Sequence, residues 1–258
     1  MDPLFNYIIQ LADNALILGH RNSEWTGHGP ILEQDIALSN IALDLLGQAR
    51  NLYQLAAKRL NTLSPEKKPV TEDDLAYLRD TTEFKNGVLL EQPNGDWGKT
   101  ILRQFYFSQF QLLQYQALLD SKEAGLAAIS EKSIKETRYH VKWAGEWVCR
   151  LGDGTAESRA RMLNAAEELD PWVPELFGAT EYEREAAEAG WGVNPAGLYR
   201  PWLESVNKIM EMATLPLYPA EKKEGFGLSG KNGFHSEHLG YILAEMQFLQ
   251  RAYPGCEW

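Results

Sequence analysis

IALSNIALDLLGQARNLYQLAA, residues 36–57, carries apolar side chains at alternating three- and four-residue steps. Leu38, Ile41, Leu45, Leu52 and Leu55 fall on one stripe, and that spacing is helical over several turns. Gln48 lies on the same stripe, one turn after Leu45, so a neutral amide points inward among hydrocarbons. A buried amide needs a hydrogen-bond partner, and the bland explanation is a neighbouring helix that supplies one.

Working outward, the same periodicity recurs almost throughout. Leu4, Tyr7, Leu11 and Leu18 define a first helix, flanked by Ile8 and Ala15 and expected to stop near Gly19. HRNSEWTGHGP (20–30) reads as loop, with Pro30 suited to the first turn of helix two and Glu33 and Asp35 favouring its positive end. Helix two is expected to run to about Leu60, and a short acidic helix to occupy residues 72–80. EQPNGDWGK (91–99) then signals a turn and an N-cap. Helix three has the seam Leu102, Phe105, Gln109, Leu112, Gln116 and Leu119. Helix four, roughly 124–151, has Ile134, Thr137, Val141, Ala144, Val148 and Leu151. Shorter helices are expected at 155–169, 181–189 and 196–213, with a capping box in TEYE (180–183). The Gly-rich link GFGLSGKNG (225–233) leads to a last helix, HSEHLGYILAEMQFLQRAY (235–253). No useful strand-period segment and no solenoid repeat occurs. The expected architecture is all-α: a four-helix bundle over about 4–151 with a C-terminal helical annex over about 155–258, forming a single domain.

Composition fits that reading and removes several function classes. The 258 residues are 44% hydrophobic and 24% charged, in the range of a globular chain with a sizeable core. A formal net charge of −11 without a basic stripe argues against nucleic acid. MDPLFNYIIQLADN lacks a basic n-region, and no run approaches the roughly 20 apolar residues of a membrane span, so a cytoplasmic protein is expected. Cys149 and Cys256 are too few for a disulfide framework or a thiolate zinc cluster; isolated thiols are expected, with one disulfide between them as the alternative.

Polar intruders near the middle of three neighbouring helices raise the question of a di-metal centre, which in such bundles uses two Glu and two Glu-x-x-His pairs. The residues three before His20, His28, His140, His235 and His238 are Ile17, Trp25, Thr137, Asn232 and His235, and none is an acid. Asp13 is the only carboxylate of helix one, so the ligand count fails. HSEH sets His235 and His238 one turn apart. Two imidazoles fall short of a zinc site, and Ser236 reads as a helix cap. There is no G-x-S-x-G elbow, and GFGLSG lacks the lysine of a phosphate loop. Lys132, Lys135, Arg138 and Lys142 line one flank of helix four among Glu131 and Glu136. They form either a solvated ion-pair face or a contact strip for an acidic partner or a phosphorylated ligand, with Trp143 and Trp147 as neighbouring core or interface anchors.

TGHGPILEQDIALSNIALDLLGQARNLYQLAA (26–57), EQPNGDW (91–97), RQFYFSQF (103–110) and HSEHLGYILAEMQFLQRAYPG (235–255) together resemble the structural C subunits of bacterial ring-1,2-phenylacetyl-CoA epoxidase, also called phenylacetate-CoA oxygenase. The resemblance extends over essentially the whole chain and implies a ferritin-like fold that has lost its iron ligands. The related catalytic A subunit carries Asp-Glu-Ala-Gly-His on its second helix; against it stands DLLGQ, in which Asp44 and Gly47 match while Leu45 and Gln48 take the ligand positions. Its Lys-Glu-Glu-Ser-Phe-His is similar to KETRYH (135–140), in which Thr137 replaces the ligand Glu and His140 remains. The resemblance implies a non-catalytic partner of the di-iron A subunit and other epoxidase subunits in a cytoplasmic hetero-oligomer. It implies no cofactor on this chain: di-iron belongs to the A subunit, and NADPH, FAD and an iron-sulfur cluster to the reductase. Gln48 is expected to bond to Gln109 or His140. Against this stand a metal-dependent oxygenase or hydrolase built on His235, His238 and a distant carboxylate, and a free-standing helical binding protein.

Overall fold

The computed structural model describes residues 2–220 and 228–256. Residues 225–227 of the Gly-rich link lie outside that range. The described residues form helices and no strand; a lone antiparallel bridge joins Ser229 and Phe234. The chain divides into two compact units, one made of residues 1–93 and 228–258, the other of 94–227.

In the first unit α1 (Pro3–Ser23) and α2 (Leu32–Leu63) pack as an antiparallel pair, followed by α3 (Glu72–Tyr77) and the single turn α4 (Val88–Glu91). The direction follows from the partners: Asp2 meets Arg59, Asp13 meets Tyr53, and Gly19 meets Leu46. Asp2 also caps α1, accepting from Phe5 N at 3.0 Å, and Pro3 at N1 loses no helical hydrogen bond. Helix α1 does not stop at Gly19. That glycine is buried mid-helix, where an added Cβ would sit 3.3 Å from Leu46, so it serves the close approach of α2. The last turn is held instead by Arg21, which donates to the Glu91 carbonyl at 2.7 and 3.2 Å. Helix α2 starts at Leu32 from an extended Ile31, so Pro30 lies in the approach to the helix.

Residues of the C-terminal segment return to this unit as α11 (Glu237–Met246) and α12 (Phe248–Ala252). Ser236 caps α11, as its position in HSEH suggests. The expected single last helix is broken at Gln247, whose Nε2 donates to the carbonyls of Ala76, in the last turn of α3, and of Arg79 just beyond it.

The second unit holds α5 (Trp97–Leu118), α6 (Ala124–Gly152), α7 (Ala156–Leu169), α8 (Pro174–Phe177), α9 (Glu181–Glu188) and α10 (Tyr199–Met212). Asp96 caps α5 by accepting from Lys99 N at 3.0 Å, and Thr180 with Glu183 closes the capping box of α9. Trp202 is fully buried, donates to the Tyr106 carbonyl at 2.9 Å and packs edge-on against Tyr106, Phe177 and Tyr218. The expected α5 seam holds only to Gln109. Leu112 is half-buried, Gln116 and Leu119 are exposed, and the buried line passes to Gln111, Gln114, Tyr115 and Leu118. Tyr115 anchors that line, with Gln111 bonded to its hydroxyl at 3.3 Å.

Candidate functional site

On α2, Leu45 is completely buried and Gln48 is 2% exposed, so the turn between them faces inward. On α6, Thr137 and His140 are completely buried, again one turn apart, and Gln109 on α5 is 7% exposed. Thr137 donates its hydroxyl proton to the Ser133 carbonyl of its own helix at 2.9 Å, an i−4 bond that satisfies the group locally. These side chains bring no carboxylate: a hydrocarbon, an amide, a back-bonded hydroxyl and one imidazole. Neither turn therefore offers the anionic oxygen ligands that a pair of iron ions needs to offset its charge. Among the described residues no group of three or more His, Cys, Asp or Glu is placed to hold a metal.

The remaining histidine pair is occupied otherwise. His235 Nε2 lies 2.9 Å from the Phe84 carbonyl and so carries a proton there, while Nδ1 lies 2.8 Å from Glu91 Oε2. Glu91, also fully buried, further accepts from Ser236 N at 2.6 Å and Asn86 Nδ2 at 3.0 Å. Both ring nitrogens are thus committed, and His235 is not a metal ligand. The expectation of a metal site on His235 and His238 fails for that reason.

A second buried carboxylate lies in the same unit. Asp13 accepts from the Tyr53 hydroxyl at 2.5 Å, from the Arg79 guanidinium and from Lys85 N at 2.7 Å. Arg79 stacks 4.1 Å over the Phe84 ring. Burial first, and then the Asp13 charge, push the Tyr53 phenol well above its ordinary range. Neither network is evident from local spacing, because Asp13 and Tyr53 lie 40 residues apart and His235 lies 144 residues from Glu91 and 151 from Phe84. The available signal is the lone carboxylate Asp13 in an otherwise apolar helix.

A profile of the phenylacetic acid catabolic protein family matches residues 1–258. The chain belongs to that family. A member of it, the C subunit of the 1,2-phenylacetyl-CoA epoxidase of Escherichia coli (strain K12), is 43% identical over 258 residues, spanning 100% of both chains. The all-helical architecture agrees with the ferritin-like bundle expected from the resemblance. No helix among the described residues is long and apolar enough to cross a membrane. Within this family member the remaining sequence-derived candidates sit on α6. Trp143 is 8% exposed and Trp147 half-buried, both edge-on to Trp97 with ring centroids 6.0 and 5.8 Å away. Lys132, Lys135, Arg138 and Lys142 are all exposed. Cys149 and Cys256 are free thiols.

Proposed function

We propose that this chain is the non-catalytic structural subunit of a multicomponent di-iron oxygenase that epoxidises the aromatic ring of phenylacetyl-CoA. In this reading it pairs with the catalytic A subunit in a cytoplasmic hetero-oligomer. The observation that carries the proposal is the full-length 43% identity to the C subunit of an epoxidase; the neutral, buried Leu45, Gln48 and Thr137 support it, read as former ligand positions. In this reading residues 1–258 act as a single ferritin-like domain.

Neutral replacements at those positions have a physical logic. Carboxylates clustered in a low-dielectric interior without metal repel one another and lose hydration, whereas a leucine packs and an amide hydrogen-bonds. An amide at position 48 is satisfied by a neutral hydrogen bond, where a carboxylate would need a counter-charge. Iron resides in the A subunit, and NADPH, FAD and the iron-sulfur cluster in the reductase.

Elemental mass spectrometry of the chain purified alone from iron- and zinc-supplemented medium tests the reading. The expected result is well under about 0.1 metal per chain, together with a stable complex on co-expression with the catalytic subunit. Near-stoichiometric iron or zinc, or no complex with that subunit, overturns it.

A further inference from the structure

Helix α6 presents one face on which an apolar hollow and a line of cations are continuous. The hollow, about 420 Å³, is lined by Phe105, Val141, Gly145, Cys149, Ile209 and Met212, with Lys142, Glu146 and Arg150 at its rim. Gly145 has no side chain to fill it: an added Cβ would stand 3.4 Å from the Phe105 ring and 3.7 Å from Ile209. Met212, 60% exposed, forms an apolar edge on α10. Arg138, Lys142, Gly145 and Cys149 follow one another at four-, three- and four-residue steps, so they share one line of the helix surface. Lys135 extends that line by one turn, and Lys135 to Lys142 spans about 10 Å of helix axis.

The cations are not neutralised among the described residues. Among the described residues Lys132, Lys135, Arg138 and Lys142 make no ion pair, although Glu131 and Glu146 lie on the same face; Glu146 instead leans toward Arg150 at 3.4 Å. In a chain of net charge −11, this is a local reversal of sign. An acidic partner is repelled by most of such a surface and drawn to this strip, which selects both the site and the orientation of docking.

Resting on the subunit reading above, we infer that this face of α6 receives an acidic, amphipathic segment of another protein subunit of the complex. One apolar side chain of that segment seats over Gly145, between Val141, Ile209 and Met212. Its carboxylates lie over Lys135, Arg138 and Lys142.

The test uses the assembled complex from co-expressed subunits, with a photo-crosslinking amino acid in place of Lys135 and, as a control, of the exposed Glu157 on α7. The expected product at position 135 is a crosslink to an acidic stretch of a different subunit. Crosslinks only to a second copy of this chain, or none above the Glu157 control, overturn the inference; so does displacement of the partner crosslink by millimolar coenzyme A. Two variants supply an independent readout: the exposed triple reversal K135E/R138E/K142E, and Gly145→Leu, which fills the hollow. Affinity for the partner subunits is expected to fall about 10-fold or more in each at low salt, and the triple variant to lose most of its salt dependence. Unchanged affinity and salt slope in folded variants sink the inference while leaving the subunit reading intact. Failure of the wild-type chain to assemble at all removes both.

Discussion

Leu45 and Gln48 on α2 and Asp13 and Glu91 in the same unit are all buried, yet only the second pair bears carboxylates. The difference lies in what surrounds them. Asp13 has a guanidinium, a phenol and a backbone N–H; Glu91 has an imidazole, an amide and a backbone N–H. Protein donors do for these two carboxylates what metal ions do for a ligand cluster. At Leu45 and Gln48 the buried turn carries neutral side chains, which lose less hydration on burial than a carboxylate does.

The comparison breaks most visibly if Arg79 is removed. Arg79→Met strands the Asp13 charge and is expected to cost about 3–5 kcal/mol in urea denaturation, with D13N/R79M recovering much of the loss. A double variant no more stable than Arg79→Met would show that the pair is not coupled. The converse change puts a carboxylate in place of a buried neutral amide. Gln48→Glu is expected to cost about 2–3 kcal/mol at pH 7. Burial raises the new carboxyl's folded pKa above its unfolded value, so stability is fully present below the unfolded value and lost as pH rises. The deficit relative to wild type should therefore shrink from pH 8 to pH 5; an equal deficit at both would mean that the site accepts a charge. Smallest is Tyr53→Phe, about 1 kcal/mol at neutral pH for one hydrogen bond. Because the folded-state phenol is pushed upward, its contribution is present below about pH 10 and lost above it. The wild-type chain should accordingly lose more stability than the Phe variant between pH 9 and 11; parallel curves would refute the assignment.

Much of the secondary structure was legible because it depends on near neighbours. The stripe Leu38–Ile41–Leu45–Gln48–Leu52, the cap at Asp96, the Thr180–Glu183 box and the Ser236 cap are all set within a few residues. Misreadings arose where a distant element decides. Gly19 looks like a terminator until Leu46 is seen against it. The break at Gln247 depends on carbonyls 168 and 171 residues away. On α5, amides at 109, 111, 114 and 116 suit either side of the helix, and the buried Tyr115 settles which side turns inward. Of the candidate site, the inward positions of Leu45, Gln48 and Thr137 were readable from spacing and His140 only through the resemblance, whereas the Asp13 and Glu91 networks were not.

The His235–Glu91 bond also bears on the order of events at the ribosome. The first unit is discontinuous: residues 1–93 are synthesised early, but the segment that supplies His235, Ser236 and Gln247 comes after the whole of the second unit. A nascent chain therefore carries Glu91 without its imidazole for the time taken to translate 144 further residues. At about 5–20 residues per second that is some seconds to half a minute, long compared with helix formation. The segment 94–227 can complete its local contacts during that interval, while Glu91 and the carbonyls of Ala76 and Arg79 wait for the end of the message.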